Sequence, residues 1–275
     1  MLNIVKSLLF RLKKSAMFWI MLGVLAFLPV LTLLLYELVI ELAEVVAGMP
    51  MDMGFEMVTY LSMTEWVSLS SNVNFLTLLC VSIFLCKEFN DGTIRNALLS
   101  NKSRVSLYSA YGVVGLIVGG SFLIVNFVST LLALGIPFGF GDVTPNQAVS
   151  SVLCSLLLGI LSLIFVVSCV LMFLFATGKQ APSIILPILV TLFLPGIMTS
   201  LVELASSLLT IIKMGNPDAA ITEIDYTWVP LYNALVYDSS NVDGALVGKI
   251  SLYYVAFSSL FVFLGGLAAV KKDLK

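Results

Sequence analysis

Long apolar runs separated by short polar intervals set the pattern of this chain. Six runs stand out, at about 16–40, 67–86, 106–133, 149–176, 181–196 and 246–270. Most of them reach the ~20 residues that an α-helix needs to cross a ~30 Å hydrocarbon core. The runs are continuous rather than alternating and too long for strands, so they predict helices and exclude a membrane barrel. The expected fold is all-α and polytopic, with six transmembrane helices.

Composition and charge sharpen that picture. Hydrophobic residues make up 60% of the chain and charged residues 11%, with mean hydropathy +1.08; an ordinary soluble domain carries roughly 25% charged residues. No water-facing surface can be built from so few charges. The first run follows Lys6, Arg11, Lys13 and Lys14. It is too long for the apolar core of a signal peptide and no small-x-small site ends it, so it is expected to be retained. With the N-terminus inside, twelve of the fourteen Lys and Arg residues fall on the cytoplasmic side, leaving only Lys213 and Lys249 outside. The acids run the other way, and the two sides sum to +9 and −11. The positive-inside rule therefore predicts a multi-pass plasma-membrane protein with both termini cytoplasmic.

Residues 1–15 predict a basic amphipathic helix. Leu2, Val5, Leu8, Leu9 and Leu12 share one side and Asn3, Lys6, Lys13 and Lys14 lie opposite, with Phe10 breaking the pattern on the polar side. Such a helix is expected to anchor at the membrane interface.

Chemistry is sparse. The chain has no histidine, which removes the commonest general base and metal ligand. Cys80, Cys86, Cys154 and Cys169 lack metal-ligand spacing and read as small packing residues. Gly178-Lys179 is the nearest approach to a phosphate loop, but Phe173 replaces its first glycine and Gln180 its Ser or Thr. The expectation is no enzyme, with no nucleotide, metal, cofactor or nucleic acid bound by this chain.

The polar island Lys87–Arg104, KEFNDGTIRNALLSNKSR, holds four of the fourteen basic residues. Asp91, Gly92 and Thr93 can supply a turn and a helix cap, and Ile94, Leu98 and Leu99 then give one apolar side to a short helix. That helix could dock on a soluble partner or lie on the membrane. Anionic headgroups would repel Glu88 and Asp91, which favours docking.

With the preceding basic helix, this layout resembles the permease subunit of bacterial ABC-2 type ABC exporters. In that family an elbow helix precedes the first span, and the loop between spans two and three carries a coupling helix and reads as an acidic residue, Gly-Thr, a few apolar residues and then Ser-Arg before the third span. Glu88, Gly92-Thr93, Ile94, Leu98, Leu99 and Ser103-Arg104 match, while Asn101-Lys102 replaces the usual proline-containing turn. The resemblance implies one transmembrane domain over 1–275, with an elbow at 1–15 and a coupling loop at 87–104 in which Glu88, Asp91, Gly92, Thr93, Ile94, Leu98 and Arg104 engage an ATPase. It also implies a separate cytoplasmic ABC ATPase that holds ATP and magnesium, and a second permease copy or a paralogue.

Ala181 to Ile212 would make about 48 Å of helix, longer than the ~30 Å core. Pro195-Gly196 offers a break. Beyond it Thr199, Ser200, Glu203, Ser206, Ser207, Thr210 and Lys213 form a polar stripe. This predicts a short outer helix within an extracellular segment, 197–245, as in ABC-2 permeases, with a long tilted span as the alternative. The outward segment 41–66 carries Met49, Met51, Met53, Met57 and Met63, an adaptable surface that suits either an amphipathic substrate or packing on its own domain. Within the spans Asn126 is read as the one strongly polar side chain, suited to a helix–helix hydrogen bond or, with Glu203, to a substrate path. Gly115 and Gly119 form a GxxxG packing pattern.

The expected function is that of a permease for an ATP-driven exporter, moving an amphipathic or lipophilic substrate such as an antimicrobial or toxin-like peptide. An ion-coupled secondary transporter would need carboxylates near span centres, which this chain lacks. A non-transporting membrane sensor or immunity protein is the other alternative.

Overall fold

In the computed structural model the described residues are 2–47, 71–91, 103–138, 145–193, 196–198, 200–201, 204–205, 207, 228–229 and 243–271. They are helical with no strand among them. Helix α1 covers Leu2–Lys14, α2 Ala16–Ala47, α3 Ser71–Asn90, α4 Arg104–Phe138, α5 Pro145–Thr177, α6 Gln180–Ile188 and α7 Gly244–Lys271. Leu189–Phe193 continues α6 as a π-helical turn. Among the described residues five helical segments are long and apolar enough to span a membrane, and the bent pair α1–α2 makes a sixth when counted as one span.

Each predicted run is helical over its described residues, which leave out 67–70 and 194–195, and most of the helices extend beyond the run. The first continues to Ala47 and the second to Asn90. Lys87–Asn90, expected in the loop, thus form the last turn of α3. The expected break at Pro195 and Glu203 lies outside the described residues, as do the methionines from Met49 to Met63. The departure from α geometry that the structure places here is earlier, at the Leu189–Phe193 π turn just after Pro187. Proline supplies no N–H to the helical ladder. Thr191 Oγ donates to the Pro187 carbonyl at 2.7 Å. In the polar stripe, Ser200 Oγ donates to the Gly196 carbonyl and Ser207 Oγ to the Leu204 carbonyl, at 2.9 and 2.8 Å.

Helix α5 is the hub. It packs against α3, α4, α6 and most extensively α7. Phe165 sets that last contact, with ring centroids 6.0, 6.5 and 5.5 Å from Tyr254, Phe257 and Phe261. The GxxxG of α4 is a close approach: a Cβ on Gly115 would sit 2.7 Å from Val167 Cγ1, and one on Gly119 3.1 Å from Thr77 Cγ2 and 3.0 Å from Leu163 Cδ2. Glycine lets α4 reach both α3 and α5. The outward faces of α2, α4 and α7 are lined with exposed Leu, Val, Ile and Phe, as hydrocarbon solvent requires.

Two turns set the helix directions. Gly178 has φ 63°, a conformation that favours glycine, and its N–H closes α5 on the Leu174 carbonyl at 2.9 Å. Gly178-Lys179 is therefore the α5–α6 corner. Between α1 and α2 the axis turns by 67°. There the Ser15 N–H reaches the Leu12 carbonyl at 2.9 Å and Trp19 Nε1 the Lys13 carbonyl at 2.8 Å.

Candidate functional site

The short connections alternate the helix directions, so the C-terminal ends of α3, α5 and α7 meet the N-terminal ends of α4 and α6 at one end of the bundle. Residues 87–91 and 103–104 belong to this end. Phe175 of α5 ties it together, with ring centroids 5.3 Å from Phe89 of α3, and 5.2 and 6.1 Å from Tyr108 and Tyr111 of α4. Thr177 and Ser183 close the α5–α6 corner beside it, their hydroxyls 2.8 Å apart.

Helix α1 lies across this end. Ile4, Leu8 and Leu12 are its buried residues, and Val5 and Leu9 are partly buried. Leu2, expected on the apolar face, is instead exposed. The core-facing stripe is rotated toward Ile4, and the rotation brings Arg11 to α3. Arg11 Nη1 donates to Glu88 Oε2 at 2.6 Å. Glu88 is buried, with 7% of its side chain exposed, whereas Arg11 keeps 46%. A buried carboxylate needs such a cation. Glu88 thus ties the last turn of α3 to the N-terminal helix.

The other edge of the loop is tied as well. Ser103 caps α4, its Oγ accepting the Ser106 N–H at 3.2 Å. Arg104, the first residue of α4, donates from Nη1 to the Val270 carbonyl at 2.9 Å. Val270 lies in the final turn of α7, where carbonyls lack helical partners and a cation is favoured. Of the other residues singled out, Asp91 is exposed just beyond α3, its N–H on the Lys87 carbonyl at 2.9 Å. Gly92, Thr93, Ile94 and Leu98 lie outside the described residues. Asn126 is buried on α4, about 33 Å along the helix from Arg104, so it does not share this site.

Two participants escape the sequence reading. Arg11 is 77 residues from Glu88, and its place in the chain marks it only as an interfacial charge. Val270 contributes a backbone atom, which no side-chain pattern reveals. Away from this site, Asn74, buried in the first turn of α3, is a second strongly polar side chain within the spans, and its Oδ1 accepts Ser162 Oγ at 3.3 Å. Its amide is visible in the second apolar run and corrects the reading of Asn126 as the one such residue.

The helices and their apolar outer faces define a multi-pass membrane protein. The model of the ABC-2 family transporter protein matches residues 6–197, more than two thirds of the chain. The chain belongs to the ABC-2 transporter family. No curated protein sequence matches it.

Proposed function

We propose that this chain is the permease subunit of an ATP-driven exporter, in which a separate ABC ATPase docks at residues 92–102 from the cytoplasm. Family membership supports the ATPase partner. The observation that carries the coupling role is the double tie of the loop, Glu88 to Arg11 at one edge and Arg104 to the α7 terminus at the other. A push on the loop then moves α1 and α7 together with α3 and α4. In this reading α1 is the elbow helix, and Glu88 and Arg104 relay motion while Asp91, Gly92, Thr93, Ile94 and Leu98 form the docking turn and helix. Two permeases, identical or paralogous, pair in the plasma membrane and alternate access for an amphipathic or lipophilic substrate such as an antimicrobial or toxin-like peptide. The partner ATPase binds ATP and magnesium. Glu203 belongs to an outer helix that caps the exit, with Asn126 on the substrate path.

Orientation is the first test, because an outward loop would meet no ATPase. Single cysteines on a cysteine-free background are expected to be protected from impermeant reagents at Asn101 and labelled at Asp218 in intact cells. The reverse pattern removes the ATPase-facing role of the loop.

A further inference from the structure

Helix α1 presents a second face that the coupling role leaves unused. Leu2, Lys6, Phe10 and Lys13 recur at spacings of four, four and three, so they line one side of the helix, nearly opposite the buried Ile4, Leu8 and Leu12. All four are exposed. Leu2 and Phe10 are 68% and 61% accessible, unusual for large apolar side chains on a helix washed by water. Lys14 extends the same side, its Nζ 4.4 Å above the Phe10 ring. Trp19, 53% exposed, adds an indole at the α1–α2 corner. Residues 2–14 contain no acid. Arg11 is engaged by Glu88, which leaves three lysines interleaved with apolar side chains.

We infer that this outward face binds the anionic phospholipids of the membrane surface, with Lys6, Lys13 and Lys14 on the phosphates and Leu2 and Phe10 at the acyl boundary. The charges select anionic over zwitterionic headgroups, and the exposed ring and Leu2 insert where amphipathic helices bury their apolar side. Phe10, which interrupts the polar side of the sequence pattern, thereby gains a role. The axis turns by 67° between α1 and α2, so a membrane crossed by α2 alone would have α1 lying closer to its plane. Only the assignment to the cytoplasmic leaflet rests on the orientation proposed above; the headgroup preference does not.

The test is native mass spectrometry of the full-length protein in micelles holding equal phosphatidylglycerol and phosphatidylcholine. The wild type should retain phosphatidylglycerol preferentially. Each of Lys6→Gln, Lys13→Gln and Lys14→Gln should reduce that preference about fivefold, and the triple variant at least ~10-fold, while the triple Arg variant keeps it. Phe10→Ala should weaken retention of both lipids, and Phe10→Trp should preserve it. Wild-type preference in the triple Gln variant, or no preference in the wild type, overturns the inference. So does a triple Gln variant that binds lipid normally but loses the ATPase subunit, since the face would then be a protein contact. Loss of ATPase coupling in a loop variant leaves the lipid result untouched, so the two readings fail separately.

Discussion

Arg11→Gln is expected to destabilise the protein by about 2–4 kcal/mol, against about 1 kcal/mol for Glu88→Gln. The asymmetry follows from exposure, with Glu88 buried and the Arg11 side chain nearly half in solvent. Removing the cation leaves an ionised carboxylate in low dielectric without its arginine. Removing the carboxylate leaves a guanidinium that can turn to water. The lower figure also reflects that the amide of Glu88→Gln can still accept a hydrogen bond. Arg11→Lys should fall between, since it keeps the charge but loses the planar fork. Unfolding in mixed micelles, run as a double-mutant cycle, measures these differences. Equal losses for the two single variants, or a neutral Arg11→Gln, would contradict the tie.

Gly265→Ala carries the second large effect. A Cβ there would lie 2.5 Å from Tyr108 Oη and 3.0 Å from Met172 Cα. The ring can shift, but Met172 Cα is backbone of the central helix. Tyr108 also donates from its hydroxyl to the Val262 carbonyl at 3.4 Å, one turn along α7. Overpacking at such a contact costs about 1–3 kcal/mol. The adjacent Gly266 has nothing within 4 Å of the same added atom, so Gly266→Ala should be neutral or slightly stabilising through helix propensity. The same unfolding assay compares them, and equal behaviour would mean that α7 does not press on α5 at this point.

The adjacent Gly265 and Gly266 mark the limit of what the sequence tells. The predicted apolar runs are helical over their described residues because the bilayer demands about 20 apolar residues and internal backbone pairing. The ends are less legible. α3 runs on through Lys87 and Glu88 because Arg11 meets the carboxylate, a partner that no local pattern predicts. In α1 the apolar sector is wide enough to allow several rotations about the helix axis. The pairing with Glu88 and the burial of Ile4 select one, which leaves Leu2 outside. Glu88 and Arg104 stand out by their motif, but their physical roles come from the fold. Arg104 acts on a helix terminus 166 residues away.

The central claim is that the loop between α3 and α4 transmits the work of an ABC ATPase. The direct measurement is ATP hydrolysis and substrate export by the purified permease–ATPase complex, reconstituted with wild-type or Gly92→Pro permease. The account predicts that Gly92→Pro inserts and folds normally, yet weakens ATPase association or hydrolyses ATP without export. A Gly92→Pro complex that assembles, hydrolyses and exports like wild type would show that this loop is not the transmission element.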